Sequence, residues 1–306
     1  MSPTRSTLSA WASRIPILII ACTVPLLLGS RVTAQVASQP LFSWQEALYG
    51  NQDNRLRWPL AVATADDNEF AVVDAFESKI LLFQNKGGAV GWQVGAAAKL
   101  PSAPVGIAFD GERYLVSMRK PGSLLTVDRP QLRFRNLSLP AEAVPGALTA
   151  APDGRVLVFD FASEAMLVVD SAGALVRSIP VDAFVTAVAI RSGSDFLVST
   201  VNPSEIRRYS FSGELLGSWP VPGLGPTPPW PVGLVTRSGG EVVVVDRKSE
   251  RILVLESGGQ LAGTGSRRGW ESGLLRQPSG LAILSDGRLV VADQGNGRIQ
   301  IFRPAS

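Results

Sequence analysis

Residues Gln277–Phe302 read QPSGLAILSDGRLVVADQGNGRIQIF, and this stretch decides the fold of the chain. It begins with a Pro-x-Gly element, continues with the apolar run Leu281–Leu284 and turns at Asp286-Gly287. A second apolar run ends at Asp293, and a Gly/Asn-rich loop leads into an alternating third run. Short apolar runs separated by Asp-Gly and Gly-Asn turns are typical of consecutive hairpin strands, not of a helix. The stretch therefore predicts three antiparallel strands.

The same pattern recurs along the chain. It starts at Pro59, Pro104, Pro145, Pro231 and Pro278, with a degenerate copy at Val185, and successive starts are 45, 41, 40, 46 and 47 residues apart. A turn signal such as Asp-Gly follows each start. Six copies with a period near 44 residues are typical of propeller blades that contain about four strands each. We therefore predict an all-β fold, a six-bladed β-propeller.

The sixth copy stops soon after its third strand, at Pro304-Ala305-Ser306, and so lacks an outer strand of its own. Residues 41–48 (LFSWQEAL) belong to no copy, and Phe42, Trp44 and Leu48 make them too apolar for a flexible tail, which is the alternative. We expect these residues to form the missing strand and close the last blade, because closure removes exposed sheet edges.

Residues 1–34 resemble a secretory signal peptide. Arg5 and Arg14 precede an apolar segment of about fourteen residues, and Val32-Thr33-Ala34 offers a small-residue cleavage site. An uncleaved membrane anchor is the alternative, although the segment is shorter than the roughly 20 residues that span a bilayer. Cys22 lies in a loose lipoprotein-like context, so membrane attachment is expected only if this cysteine is lipidated. We predict export, with a periplasmic or extracellular location after cleavage near Ala34.

Three segments follow: a signal peptide at 1–34, an N-terminal segment at 35–56 that contains the closing strand, and six repeats at 57–306. The repeats form one propeller domain together with residues 41–48.

Composition excludes several kinds of chemistry. The chain has no histidine, which excludes Ser-His-Asp hydrolysis and histidine-ligated metal sites, and its one cysteine lies in the predicted signal, which excludes disulfides in the mature chain. Cleavage would remove three arginines and no acidic residue, leaving 26 basic and 26 acidic residues. A neutral mature chain gives no general electrostatic reason to bind nucleic acid. We predict no nucleic-acid partner, no cofactor, no metal and a monomeric state.

The motifs Pro-x-Gly-Leu-Ala, Asp-Gly-Arg-Leu-Val-Val-Ala-Asp and Gly-Asn-Gly-Arg-Ile-Gln-Ile-Phe resemble the NHL repeat. The match is strongest in the sixth copy, fair in the first and fifth, and weak in the second and fourth. The resemblance implies a six-bladed propeller that most often serves as an interaction module, with a minority of enzymes among its relatives. The amidating lyases of that group depend on histidine ligands, which this chain cannot supply.

Copies one, five and six share an Asp-x4-Lys/Arg spacing at the end of their second strand. The pairs are Asp74 with Lys79, Asp246 with Arg251, and Asp293 with Arg298. A ring of charges around a ligand is one interpretation. We favour the other, in which each pair is an ion pair that braces the loop of its own blade, although such surface pairs typically contribute only about 0–1 kcal/mol.

The loops between second and third strands lie on the same side of a propeller as the entries into the first strands. Here those loops are 75–78, 119–122, 161–164, 201–204, 247–250 and 294–297. Exposed aromatic and arginine side chains are the usual anchors of interfaces. The candidate partner-binding residues on this side are Trp58, Arg119, Lys120, Phe161, Trp230, Arg247, Lys248 and Asn296, with Phe76 and Phe184 nearby. The alternative is that the tryptophans pack between blades and the basic residues are merely solvated.

The leading hypothesis is an exported, non-enzymatic propeller that binds a protein, peptide or glycan, and it predicts no catalytic residue. The alternative is a lactonase-type hydrolase that uses carboxylates and a divalent cation, for which Asp74, Asp160, Asp246 and Asp293 are the available acids. A third hypothesis is an assembly factor tethered to a membrane through Cys22.

Overall fold

A computed structural model describes residues 41–87 and 91–305, and it shows six four-stranded antiparallel sheets. The predicted signal at 1–34 lies outside the described residues. Each sheet is one blade, and strand order from the channel outwards follows chain order except in the last blade. Among the described residues no helix is long and apolar enough to span a bilayer.

The strands of the first three blades have the following bounds. Blade 1 contains β2 (Pro59–Asp66), β3 (Glu69–Asp74), β4 (Lys79–Asn85) and β5 (Trp92–Lys99). Blade 2 contains β6 (Pro104–Phe109), β7 (Tyr114–Met118), β8 (Ser123–Asp128) and β9 (Arg133–Leu137). Blade 3 contains β10 (Pro145–Ala150), β11 (Val156–Asp160), β12 (Ala165–Val169) and β13 (Leu175–Pro180).

The remaining three blades complete the ring. Blade 4 contains β14 (Phe184–Ile190), β15 (Asp195–Val201), β16 (Glu205–Ser210) and β17 (Leu215–Pro220). Blade 5 contains β18 (Pro231–Thr236), β19 (Val242–Asp246), β20 (Arg251–Leu255) and β21 (Leu261–Gly265). Blade 6 contains β22 (Gly280–Ile283), β23 (Leu289–Asp293), β24 (Arg298–Pro304) and β1 (Phe42–Leu48), with a 3-10 turn at Gln294–Asn296.

The predicted closure is confirmed: β1 pairs antiparallel with β24 as the outer strand of blade 6. Phe42 lies opposite Pro304 and Leu48 lies opposite Ile299, and both Phe42 and Leu48 are buried. The first strands of blades 1 and 6 also contact each other, so the ring is continuous. The strand β1 thus closes the ring by pairing with β24, as expected from the apolar character of residues 41–48.

The core consists of six apolar clusters, one between each pair of adjacent blades. In β3, Phe70 and Val72 face the cluster shared with blade 6, whereas Ala71 and Val73 face the cluster shared with blade 2. Side chains alternate between the two faces of a strand, so a strand inside a blade is covered on both sides. This explains why the second strands are continuous apolar runs instead of alternating ones.

The glycine of the Pro-x-Gly element lets neighbouring first strands approach closely. A Cβ on Gly233 would lie 2.6 Å from Leu281 Cβ, and one on Gly280 would lie 3.0 Å from Ala61 Cα. Blades 5 and 6, and blades 6 and 1, are therefore packed too closely at these points for any side chain. The repeat motif is thus a packing requirement of the channel wall.

Candidate functional site

Four aspartates fix the loops on one side of the propeller. Asp74 Oδ2 accepts hydrogen bonds from the backbone N–H groups of Arg57 (2.7 Å) and Trp58 (2.9 Å), and Oδ1 accepts one from Phe76 N–H (3.0 Å). The carboxylate therefore joins the entry into the first strand to the loop after the second strand. The same bond to the entry recurs at Asp160, Asp246 and Asp293, at 2.7, 2.6 and 2.7 Å. We call this side the entry face: loops 75–78, 119–122, 161–164, 202–204, 247–250 and 294–297, with the segments that lead into the first strands.

Of the three Asp-x4-Lys/Arg spacings, the one in blade 6 forms an ion pair. Arg298 Nε lies 2.8 Å from Asp293 Oδ2, and both side chains are buried. Within the described residues, Asp74 forms no ion pair with Lys79, nor Asp246 with Arg251, although each pair occupies facing strand positions. Lys79 Nζ instead lies 3.3 Å from Glu77 Oε2, since the Asp74 oxygens already accept backbone N–H groups. The aspartates brace the loops by themselves.

Electrostatics differ among these aspartates. Burial acts to raise the pKa of Asp160, but the hydroxyl of Ser163 and the N–H groups of Val144 and Ala162 outweigh it and lower the pKa. Burial raises the pKa of Asp293, and hydrogen bonds from Arg276 N–H, Asn296 and Arg298 oppose that shift. All four carboxylates are held by donors within their own blade.

Three of the predicted partner-binding residues meet at the mouth of the central channel. Arg119, Phe161 and Arg247 line a cavity of about 250 Å³ whose walls are the first strands of all six blades. Phe184, half exposed, lines the same cavity. Apart from these residues, the walls consist mainly of small and aliphatic residues such as Val105 and Leu148. The site is an apolar channel with guanidinium groups and aromatic rings at its mouth.

Phe161 is held in place from several sides. Its ring lies against Gly146, where a Cβ would come within 2.5 Å of Cε2. The rings of Phe159 and Phe184 lie 4.9 and 5.1 Å away, and the Arg119 guanidinium stacks over Phe161 at 4.8 Å from the ring centroid. The ring is therefore a fixed platform, and the Arg119 guanidinium lies over that platform.

Arg247 is fixed in a different way on the opposite side of the ring. Its Nη2 donates to Gln294 Oε1 at 2.8 Å and its Nη1 donates to the carbonyl of Pro278 at 3.4 Å. Burial lowers the pKa of Arg247, while the Glu250 carboxylate opposes that shift. Glu250 Oε2 forms an ion pair with Arg268 Nε at 2.9 Å, and Oε1 accepts a hydrogen bond from Gln277 N–H at 3.0 Å.

Three further aromatic rings on the entry face each lie close to a cationic side chain. Lys248 Nζ lies 5.4 Å from the Trp230 ring, Arg57 lies 5.4 Å from Phe76, and Arg276 lies 4.7 Å from Trp270. Trp58 and Trp230 are 49% and 39% exposed, so neither packs fully between blades.

The other predicted residues are placed away from the channel mouth. Trp58 lies in a separate surface depression with Arg57 and Phe76. Lys120 is exposed, and none of the described residues accepts a hydrogen bond from it. Asn296 is a bracing residue: its Nδ2 donates to Gly269 O at 3.0 Å and to Asp293 Oδ2 at 2.8 Å.

Sequence reasoning missed the cation–ring pairs of blades 1 and 6. Arg57 and Arg276 each stand two residues before the proline that starts a repeat, and this Arg-x-Pro spacing is the signal that could have found them. Trp270 carried no such signal, because it lies in the glycine-rich stretch before the sixth repeat.

Residues 41–87 and 91–305 contain no group of three His, Cys, Asp or Glu side chains arranged to hold a metal ion. The four repeat aspartates lie in different blades, where each is bound to its own loop. Within the described ranges these four aspartates form no shared cluster.

Comparisons with known proteins agree with this architecture. The model of the NHL repeat matches residues 275–302. No curated protein sequence matches the chain. A streptogramin B lyase structure aligns with 12% identity over 88% of this chain and 100% of that chain, with a TM-score of 0.61. Virginiamycin B lyase from Staphylococcus aureus aligns with 13% identity over 87% and 89% of the two chains, with a TM-score of 0.60.

A third solved structure extends the range of similar folds. Hydrazine synthase from Kuenenia stuttgartiensis aligns with 14% identity over 82% of this chain and 97% of that chain, with a TM-score of 0.62. Identities this low indicate a shared fold alone. The sheet order, the closure by β1 and the repeat match agree with one another: this chain is a six-bladed β-propeller that carries an NHL repeat at residues 275–302.

Proposed function

We propose that the chain is an exported, non-enzymatic binding module that takes a protein, peptide or glycan partner on its entry face. The observation that carries the proposal is the channel mouth, where Arg119 on its Phe161 platform and the anchored Arg247 surround an apolar cavity. Arginine and aromatic side chains that are already ordered lose little freedom on binding, and such residues are the usual hot spots of interfaces.

The enzymatic alternative rests on the similar lyase folds. A variant of virginiamycin B lyase in which one histidine is replaced by alanine is described as catalytically inactive, and this chain has no histidine. The lactonase alternative needs convergent carboxylates, and the described residues provide none at the channel. A binding role requires neither.

The proposed location is the periplasm or the extracellular space, with a membrane attachment only if Cys22 is retained and lipidated. Mass spectrometry of the N-terminus in the native host tests this part: a mature chain that begins near Gln35 supports export with cleavage. A lipid on Cys22 would replace this proposal with a tethered module.

The binding experiment is a pull-down from the exported fraction of the native host. The protein is attached through its N-terminus so that the entry face stays free. The strand β1 begins at Phe42, which pairs with Pro304 at the end of β24 away from the entry face, whereas Arg298 at the other end of β24 contacts the segment before the sixth repeat. The double variant Arg119→Glu, Arg247→Glu should lose the partner, and Arg133→Glu on the outer strand of blade 2 is the matched charge control.

For the wild-type protein, the rate of association should fall with rising salt, and the double variant should lose that dependence. Unchanged capture and unchanged salt dependence in a folded double variant would show that the entry face is ordinary surface. Chelator-sensitive hydrolysis of a lactone panel by the wild-type protein would instead establish the enzymatic alternative.

A further inference from the structure

Among residues 41–87 and 91–305, neither arginine at the channel mouth forms an ion pair with a carboxylate. Arg119 forms neither an ion pair nor a hydrogen bond with any of the described residues, and its contact is the face of Phe161. A guanidinium whose N–H groups have no acceptor in the described part of the chain can bind a carboxylate with two parallel hydrogen bonds. In the described part of the chain, Arg247 donates to a neutral amide and a backbone carbonyl, and the nearby acid Glu250 forms its ion pair with Arg268.

Their arrangement separates the two positive charges by apolar space. Arg119 belongs to the loop of blade 2 and Arg247 to the loop of blade 5, and these blades stand opposite each other in a ring of six. The channel between them is lined by residues such as Val105, Leu148 and Leu234. A ligand that satisfies both guanidinium groups must therefore present an apolar group between two acids.

The size of the cavity limits what enters it. Sites that bury a whole drug-sized ligand measure roughly 300–1,000 Å³, and this cavity measures about 250 Å³. It therefore suits one projecting side chain of a larger partner that stays on the surface. The rim favours the same conclusion, because Phe184 remains half exposed at the mouth and offers contact area to a chain that crosses it.

We propose, as a refinement of the binding function above, that the channel mouth recognises an extended acidic peptide segment in which an apolar side chain lies between two carboxylates. Alternate residues of an extended chain point the same way, so the segment has the form acid-x-apolar-x-acid. The apolar side chain enters the cavity, and the two carboxylates bind Arg119 and Arg247. An uncharged glycan would leave both guanidinium groups without an anion, and nucleic acid lacks an apolar group between its charges.

The test uses three synthetic peptides with blocked ends, titrated into the purified protein and followed by NMR chemical shifts. The probe is Glu-Ser-Leu-Ser-Glu, and the two controls replace both glutamates by glutamine or the leucine by serine. Hydrogen bonds to charged groups contribute about 1.5–3 kcal/mol, which corresponds to at least about tenfold in affinity. The probe should therefore bind at least about tenfold more tightly than the glutamine control, and replacing the leucine should also weaken binding.

Variants of the protein then test whether Arg119 binds a carboxylate of the probe. Arg119→Gln should remove most of the preference for the acidic probe without loss of stability, because Arg119 donates no hydrogen bond within the described part of the chain. Arg119→Lys should retain part of it, since lysine keeps the charge but not the paired N–H groups. Arg133→Gln, which alters an exposed arginine on the outer strand β9, should change nothing.

The outcomes separate this inference from the proposed function. Equal binding of acidic and neutral peptides, while capture of the host partner still depends on Arg119 and Arg247, overturns the acidic-peptide assignment and leaves the binding function in place. If the peptides bind equally and capture of the host partner does not depend on Arg119 or Arg247, then both the acidic-peptide assignment and the proposed binding function are overturned. Tight binding of suberate, a free dicarboxylate with an apolar spacer, but not of the peptide would assign the mouth to a small molecule and refute the peptide.

Discussion

Replacement of Asp293 by asparagine tests whether blade 6 depends on a buried charge pair in a way that the other blades do not. Asp293 is fully buried and Arg298 is 2% exposed, with 2.8 Å between the carboxylate and the guanidinium. Asparagine keeps the size of the side chain but leaves the Arg298 charge without its counter-ion. Breaking a buried pair from one side costs about 3–5 kcal/mol. We expect the lower end of that range, because Arg298 still donates to the carbonyls of Glu271 (2.7 Å) and Leu274 (2.9 Å).

The matched comparison is Asp246→Asn in blade 5. Asp246 is equally buried and accepts backbone N–H groups of Trp230 and Ser249, but no ion pair accompanies it in the part of the chain that the structure describes. Loss of bonds to a buried acceptor costs about 1–3 kcal/mol. In a domain of this size, 1 kcal/mol shifts Tm by about 2–4 °C.

Thermal scans of both variants at one scan rate, followed by tryptophan fluorescence, provide the assay. Asp293→Asn should lower Tm by about 6–12 °C and should lower it clearly more than Asp246→Asn does. Equal losses would refute the argument, since they would mean that the backbone bonds common to both sites carry the stability and that the Arg298 pair adds nothing.

Three further predictions follow from the fold and the site. Deletion of residues 35–49 removes β1 and exposes the edge of β24, so Tm should fall markedly in a thermal scan; an unchanged Tm would contradict closure of the ring by the N-terminal strand. Gly146→Ala places a Cβ within 2.5 Å of the Phe161 ring and should displace that platform, which a loss of partner affinity with little change in Tm would reveal. The pKa of Asp195 is lowered, since hydrogen bonds from Ser192 and Arg208 outweigh burial, which raises it. The ionised Asp195 therefore stabilises the fold above its unfolded pKa of about 3.9, and this stabilisation is lost as pH falls through the lower pKa of the folded state. The Tm difference between wild type and Asp195→Asn should thus be large at neutral pH and shrink in acid, and a constant difference would count against it.

The sequence by itself determined the architecture, because a propeller is built from local signals. Each hairpin is specified by its own apolar runs and turns, and the repetition of these signals specifies the number of blades. The closing strand could also be predicted, since the sixth copy lacked an outer strand and residues 41–48 were apolar without belonging to a repeat. The predicted starts agree with the first strands to within two residues: β14 begins at Phe184, one residue before Val185, and β22 begins at Gly280, two residues after Pro278.

The roles of individual side chains were decided by the tertiary structure. The Asp-x4-Lys/Arg spacing is the same at Asp74, Asp246 and Asp293, yet only Asp293 pairs with the basic residue. That choice depends on how many backbone N–H groups reach the carboxylate, which are four at Asp74, three at Asp246 and one at Asp293, and this number is set by packing against the neighbouring segments.

At the candidate site, too, the sequence predicted which residues are present, and the tertiary structure decided which of them meet. The basic and aromatic loop residues could be listed from the sequence, but their neighbours could not, because Arg119 meets Phe161 across a blade boundary and Arg247 meets Gln294 across another. Residues far apart in the chain meet there only because closure of the ring fixes the spacing of the blades. The blades follow from local sequence, and the channel mouth exists only once all six blades are assembled.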